Sequence, residues 1–176
     1  LRFAVILAHV DQQEGRLWST KGQPKVLDSQ KLSMKQIRKS LYRTFWDASG
    51  KFDDRGLGEA AFYSLNELVT KHSAEAKSQG FFRDDAGLLV LFQSDEQEIG
   101  ATVPQHLPHG IRPRCDDYYP PIIRKKFYEE RHVNVDSTFA AVRALKGSMP
   151  VSMNAFVNVD EEDMDYYLPV FQHPSD

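Results

Sequence analysis

The sequence predicts a layered α/β fold with a mostly parallel sheet and helices packed against it. Two apolar runs, Phe3–Val10 and Leu88–Phe92, do not alternate with polar residues. Runs of this kind are typical of parallel strands buried on both faces. Segments with helical spacing alternate with the apolar runs, as in layered α/β domains. The 176 residues therefore predict one domain over 1–158, followed by an acidic extension over 159–176.

The first predicted strand is followed by a short ribbon. The segments Glu14–Trp18 and Pro24–Leu27 flank a turn at Gly22. Two short segments around a glycine turn predict a hairpin or an edge ribbon.

Two helices are predicted next. Ser33 and Gln36 have capping-box spacing, and the helix they begin is expected to end within 47–50. Helical periodicity assigns its buried face to four residues, Met34, Ile37, Leu41 and Phe45. A polar loop leads to the second helix, whose expected buried face comprises Leu57, Ala61, Leu65 and Leu68.

The middle of the chain is predicted to be less regular. A polar connection over 73–85 leads into the strand at 87–93. The segment 99–121 holds five prolines and is expected to form a long surface excursion. The residues that follow, 122–132, are compatible with a helix.

One more helix and one more strand complete the predicted domain. Asp136 is a suitable N-cap for a helix over 137–146, and Gly147 is expected to end it. The residues expected to point inward are Phe139, Val142 and Leu145. The segment 150–157 is predicted to be a strand.

Composition excludes several classes of protein. No apolar run approaches the roughly 20 residues of a membrane helix, so no membrane span is predicted. The net charge of −3 gives no support for nucleic-acid binding. Residues 160–176 hold six acids and no Lys or Arg, leaving 22 basic against 19 acidic residues elsewhere. This acidic end is interpreted as a solvated tail, or as a segment that docks on a basic surface.

The motifs of common catalytic and metal sites are weak or missing. The Gly56-Leu-Gly58 segment resembles a dinucleotide fingerprint, but no buried strand directly precedes it. A zinc site could be drawn from His106, His109, Cys115 and His132, but their spacing is irregular. No nucleophile elbow and no P-loop is present. Exposed loop histidines and a structural glycine turn are the favoured interpretations.

Polar residues follow both apolar runs. Ser94, Asp95 and Glu96 come directly after Leu88–Phe92, and Asp11 follows the first run. Ligands of α/β sheets bind beyond the carboxyl ends of the strands. A carboxylate and a hydroxyl there suit a hard cation or a basic partner. The alternative is that Asp95 caps a turn or a helix.

Several segments in this order resemble one family. Gly80–Ala86 precedes Leu88–Phe92, which runs into Ser94-Asp95-Glu96, and Phe139–Gly147 precedes Val151–Val157. Together they resemble a von Willebrand factor A-type domain of the bacterial, envelope-associated branch, over about residues 3–158. The resemblance implies a doubly wound sheet, a protein or cell-surface ligand, and a periplasmic or surface-exposed location.

The resemblance also implies a divalent cation, Mg²⁺ or Ca²⁺, at the top of the sheet. Asp95 matches the family's third metal-binding element. The second element would fall near 53–59, where there is no Thr, and the Asp-x-Ser-x-Ser loop is missing. Asp47-Ala-Ser-Gly-Lys51 imitates that loop but ends in Lys and follows a helix. We therefore expect the first strand to be missing from this chain, and metal binding to be weak unless another segment supplies the loop.

Three functions follow from these expectations. The first is a non-enzymatic, adhesion-type binding domain with a metal at Asp95 and ligand contacts from Ser94, Glu96, Asp11 and Asp54. The second is an assembly subunit whose sheet is completed by another chain or segment. The third is an α/β hydrolase that uses His9, Asp11 and Asp95 for acid–base chemistry.

Overall fold

A computed structural model describes residues 1–8, 15–51, 60–94, 129–130 and 132–157, with the backbone alone at 49–51, 94, 156 and 157. The described helices and strands are, in chain order, β1 (Arg2–Phe3), β2 (Leu27–Asp28), α1 (Met34–Lys51), α2 (Ala61–Thr70), α3 (Ser73–Ser78), β3 (Leu88–Ser94), α4 (Val135–Lys146) and β4 (Val151–Val157).

Strands β3 and β4 form a parallel pair. Their register runs from Leu88 opposite Val151 to Ser94 opposite Val157. Parallel neighbours need a crossover connection, and α4 lies in the chain between these two strands. The predicted strands at 87–93 and 150–157 are confirmed, and the fold is mixed α/β. The described residues show a two-stranded parallel sheet, which is less than the doubly wound sheet that was expected.

The core lies between this sheet and two helices. Leu65 and Leu68 of α2 are buried together with Val142 of α4. Alternate residues of β3 (Leu88, Val90 and Phe92) pack against this cluster from one face of the sheet. The ring of Phe92 lies edge-on to that of Phe62 in α2, with ring centroids 5.1 Å apart. Burial of these apolar side chains is the main contribution to the stability of the part of the fold formed by α2, α4 and the β3–β4 sheet.

Gly15 allows the N-terminal region to approach α2 closely. It has a φ of 77° and is buried against the helix backbone. A Cβ at this position would lie 2.8 Å from the Leu68 nitrogen and would also clash with the Ser64 carbonyl oxygen. A residue without a side chain is required here for both reasons.

The N-terminal segment differs from its prediction. Strand β1 pairs antiparallel with β2, and Val5 bridges Trp18 in the same sense. Residues 2–5 therefore belong to an antiparallel ribbon, whereas a parallel strand over 3–10 was expected. The expected turn is present, since the Gln23 N–H donates to Thr20 O at 3.0 Å. The segments on either side of it pair with residues 2–5, while the prediction paired them with each other.

Helix α1 begins as expected, and its buried face includes Ile37 as predicted but is rotated away from Met34 and Phe45. The Ser33–Gln36 capping box is confirmed, with the Ser33 N–H donating to Gln36 Oε1 at 2.8 Å. The buried residues are Ile37, Ser40 and Thr44. Met34 and Phe45 are about half exposed, so the predicted apolar face was wrong at both of these positions.

Polar contacts explain this rotation of α1. The Ser40 hydroxyl donates to Gln23 Oε1 at 2.7 Å, and the Thr20 hydroxyl donates to the Asp47 carboxylate. Both partners lie in the turn region after Trp18. Periodicity of apolar residues does not register such contacts, so it assigned the face 34–37–41–45 to the core.

The remaining helices required two corrections. Helix α3 lies within 73–85, where a polar connection without helix was predicted. Helix α4 begins earlier than expected, since Asn134 and Ser137 form its capping box and Asp136 lies in its first turn. Gly147 ends α4 as predicted.

Within α4, the inward-facing residues were predicted correctly in part. Val142 is fully buried, but Phe139 is exposed and packs under the guanidinium of Arg143, 5.6 Å from its ring centroid.

Candidate functional site

The predicted site residues lie at the edge of what the structure describes. Ser94 is the last residue of β3, where its backbone is opposite Val157. Asp95, Glu96, Asp11, Asp54 and His9 lie outside the described residues, as do the proline-rich segment 99–121 and the expected helix over 122–132. Their roles in metal or ligand binding stay predictions.

The part of the chain that the structure describes offers no metal centre. Among those residues, no three His, Cys, Asp or Glu side chains lie close enough to hold one ion. Because Asp95 is outside that set, the Mg²⁺ or Ca²⁺ prediction is not tested by this finding.

The outer face of the β3–β4 sheet is the first candidate surface. On β3, Leu89 is 60% exposed and Leu91 is 54% exposed. The residues opposite them on β4, Ser152 and Asn154, are exposed as well. The prediction that β3 is buried on both faces was therefore wrong, because its outward leucines remain exposed.

This outer face has an apolar side and a polar side. The two leucines lie along β3, and beside them the Asn154 amide donates to the Ser152 hydroxyl at 2.9 Å. Burying one leucine side chain is worth about 1.5–3 kcal/mol, so covering both would give a useful binding contribution. The neighbouring hydroxyl and amide can accept and donate hydrogen bonds and thereby orient whatever packs there.

The sheet also presents backbone groups. Within the described residues, β3 and β4 each have one strand neighbour, which is the other strand. A strand with an unpaired edge exposes a row of N–H and C=O groups that can pair with another chain. A strand added at this edge would extend the sheet and bring its own side chains next to those on the outer face.

The exposed face of α1 is the second candidate surface. It carries Met34, Lys35, Arg38, Lys39, Tyr42, Arg43, Phe45 and Trp46. Trp46 is 71% exposed and Tyr42 is 66% exposed, and their rings stack at 6.3 Å. From Met34 to Ala48, no exposed residue of α1 bears a carboxylate. We call these eight residues the basic-aromatic face.

Sequence reasoning missed the basic-aromatic face, although a signal was present. Cations at 35, 38, 39 and 43 are interleaved with aromatic residues at 42, 45 and 46. Two of the apolar residues, Met34 and Phe45, were assigned to the core, which hid the pattern.

A cleft of about 280 Å³ with a mixed polar and apolar lining lies beside the ribbon, formed by Arg2, Pro24, Val26, Asp28, Lys31, Leu32, Gln79 and Gly80. The pKa of the Asp28 carboxyl lies below its ordinary value, chiefly because the backbone N–H of Gln30 donates to it at 2.9 Å. Arg2 adds to this effect, with its Nε 3.2 Å from the carboxylate. Arg2 also donates to Gly80 O, so its charge is used in joining the ribbon to the end of α3.

An exposed ion pair precedes β3. Arg83 lies 2.6 Å from the Asp85 carboxylate, which lowers the pKa of Asp85 and raises that of Arg83. The Lys146 ammonium at the end of α4 donates to Arg83 O. These contacts fix the turn that leads into the sheet.

No protein-family model, curated protein or solved structure matches this chain. The described helices were also compared with the length and hydropathy of membrane spans, and none of them meets both requirements.

Proposed function

We propose that this chain is a non-enzymatic protein-binding domain and that its β3–β4 sheet is the contact surface. The observation that carries the proposal is the exposure of Leu89 and Leu91 on the outer face of a parallel sheet. Parallel sheets are normally covered on both faces. A segment of a partner chain that paired as a strand with the edge of β3 would place apolar side chains beside the two leucines on the outer face.

The place of β3 in the chain favours the outer face of the sheet over the basic-aromatic face as the surface that binds a partner protein. Strand β3, which carries the two exposed leucines, ends at Ser94, and the predicted contact residues Asp95 and Glu96 follow it in the chain. A ligand on β3 would therefore reach the carboxyl end of the strand, where α/β domains bind their ligands. The resemblance to von Willebrand factor A-type domains supports protein binding. The divalent cation and the bacterial envelope location are further predictions of that resemblance.

The assembly function is a second candidate, and the same exposed leucines favour it. In that case the covering segment would be a permanent part of the folded sheet. Obligate interfaces are more apolar than transient ones. The polar pair Ser152 and Asn154 on the same face favours a reversible ligand, so we place the assembly function second.

A peptide library displayed on phage and selected on the full chain tests the proposal. We expect the selected peptides to be apolar and β-branched at alternate positions, since they must pair as strands. They should bind the unaltered chain and lose binding to the Leu89→Ser/Leu91→Ser variant. Tyr42→Ser is the matched control, because Tyr42 is an equally exposed apolar residue on α1.

The outcome that contradicts the proposal is equally specific. If the selected peptides bind the double leucine variant as well as the unaltered chain, the outer face is not the contact surface. Circular dichroism of both variants must match that of the unaltered chain, so that loss of binding is not loss of folding.

A further inference from the structure

The basic-aromatic face of α1 is unusual for the helix of a chain with net charge −3. Four cations, Lys35, Arg38, Lys39 and Arg43, lie among exposed aromatic rings with no carboxylate between them. Surface charges of both signs are normally interspersed. Exposed Trp, Tyr, Met and Arg side chains are also the residues enriched in protein interfaces.

One segment of the same chain has the complementary composition. Residues 160–176 hold six acids and no Lys or Arg. Five of these acids lie within 160–165, and the apolar residues Met164, Tyr166, Tyr167, Leu168, Val170 and Phe171 accompany or follow them. We propose that residues 160–176 dock on the basic-aromatic face of α1.

The match extends beyond net charge. The carboxylates of 160–165 supply the acceptors that Lys35, Arg38, Lys39 and Arg43 need on the exposed side of α1. The tyrosines and Phe171 can pack on Tyr42 and Trp46, and their ring faces also attract guanidinium groups. A segment that was acidic but lacked apolar residues would leave the rings of α1 exposed.

The length of the segment permits the contact. Seventeen extended residues span about 56 Å, at about 3.3 Å per residue. A folded chain of 176 residues has a radius of gyration of about 16 Å, hence a diameter of about 40 Å. Because the segment is tethered, its effective concentration near α1 is on the order of millimolar, and a weak contact suffices to keep it docked.

Other anionic occupants are less favoured. A lipid surface or a nucleic acid would meet the acidic segment together with α1, and the net charge of −3 would oppose the approach. The tethered segment must first be displaced before either could bind.

A zero-length carbodiimide reaction on the full chain tests the proposal. The reagent joins a lysine amine to a carboxylate only when the two groups are in contact. We expect Lys35 and Lys39 to form amide links with residues 160–165, identified by mass spectrometry. Lys77, whose ammonium lies 2.7 Å from Asp84, provides an internal control for the reaction in every sample.

Ionic strength gives a second readout. Between about 0.01 M and about 1 M salt the Debye length falls from about 30 Å to about 3 Å. The links from α1 to 160–165 should therefore fall at high salt by more than the Lys77–Asp84 link does.

Matched variants separate the two sides of the contact. Replacing Asp160, Glu161, Glu162, Asp163 and Asp165 by Asn or Gln removes the carboxylates and should abolish the links. Docking should weaken in Arg38→Glu/Arg43→Glu, which keeps both lysines, and in Tyr42→Ser/Trp46→Ser, which removes the rings. Arg143→Glu, an equally exposed arginine on α4, should leave the links unchanged.

Three results would overturn the proposal. The first is a full Lys77–Asp84 link without any link from α1 to 160–165. The second is a link that forms between ¹⁴N- and ¹⁵N-labelled copies in a mixed sample, which would assign the face to a second copy. The third is binding of phosphatidylserine vesicles or polyuridylate with equal affinity by the unaltered and acid-neutralised chains, since a docked segment must compete with either.

Discussion

Helices α1 and α2 are both amphipathic, but different forces attach them to the molecule. Helix α2 buries six residues, Tyr63, Ser64, Leu65, Glu67, Leu68 and Val69, and three of them, Leu65, Leu68 and Val69, belong to the core cluster shared with α4 and the sheet. Among the side chains of α1 that the structure describes, over 34–48, one apolar residue, Ile37, is buried together with Ser40 and Thr44. Helix α1 is held by the Ser40 hydroxyl, which donates to Gln23 Oε1, and by the Thr20 hydroxyl, which donates to Asp47, whereas apolar burial holds α2.

This difference indicates that the two helices contribute unequally to the stability of the fold. A helix attached by a few polar contacts adds little to the core, and the side chains of Tyr42 and Trp46 on α1 are largely exposed. The net contribution of one hydrogen bond to the free energy of unfolding is about 0.5–1.5 kcal/mol, and burial of a large apolar side chain contributes more. We infer that α2 is a folding element and that α1 is a surface element.

The largest effect is expected at the position where the N-terminal region touches α2. Gly15→Ala should destabilise the fold by about 2–6 kcal/mol, because the residue must keep a positive φ and its Cβ meets the α2 backbone. Thermal denaturation followed by circular dichroism measures this loss. Gly22→Ala is the matched control, since Gly22 also has a positive φ but nothing lies within 4 Å of an added Cβ. Equal losses in the two variants would show that Gly15 does not contact α2 as described.

The next effect compares one residue from each helix. Leu65→Ala in α2 should cost about 2–5 kcal/mol, since it opens a cavity in the core. Tyr42→Ala in α1 should change the free energy of unfolding by about 0.5 kcal/mol or less, as for other exposed residues. Urea denaturation measures both values. If Tyr42→Ala is as damaging as Leu65→Ala, α1 is part of the core and the contrast between the helices is wrong.

The smallest effect concerns Asp28, which lies at the start of the turn into α1. Its pKa is lower in the fold than the ordinary value of 3.8, so its ionised form stabilises the fold above that pH. This contribution is lost as pH falls through the lowered pKa. Asp28→Asn should therefore be less stable than the unaltered chain at neutral pH, and the gap should close in acid.

Melting temperatures between pH 7 and about pH 2 measure this gap. Asp85→Asn is the comparison variant, because the pKa of Asp85 is also lowered but its side chain is well exposed. Its gap should be smaller, since solvent screens an exposed ion pair. A constant gap for Asp28→Asn over the whole range would show that its charge has no part in folding.

Sequence reasoning succeeded where apolar burial decides the structure. The strands at 87–93 and 150–157, the buried positions Leu65 and Leu68, and the helix stop at Gly147 were all predicted. Each of these depends on local chemistry or on periodicity, which a single sequence displays.

Prediction from the sequence failed where contacts between residues far apart in the chain determine the structure. The rotation of α1 depends on Gln23 and Thr20, and the pairing of residues 2–5 depends on segments up to 26 positions away. The exposure of Leu89 and Leu91 could not be predicted, because a continuous apolar run contains no information about what covers each face. The predicted contact residues Asp11, Asp54, Asp95 and Glu96 lie outside the described residues, so that part of the candidate site stays a prediction.

The register of β3 and β4 has a consequence for synthesis of the protein. Each residue of β3 pairs with a residue 63 positions later, from Leu88 with Val151 onward. Contacts that join distant residues form slowly, and a chain emerging from the ribosome cannot make them until both partners are present. During synthesis, β3 therefore cannot pair with β4 until 63 further residues have been added to the chain.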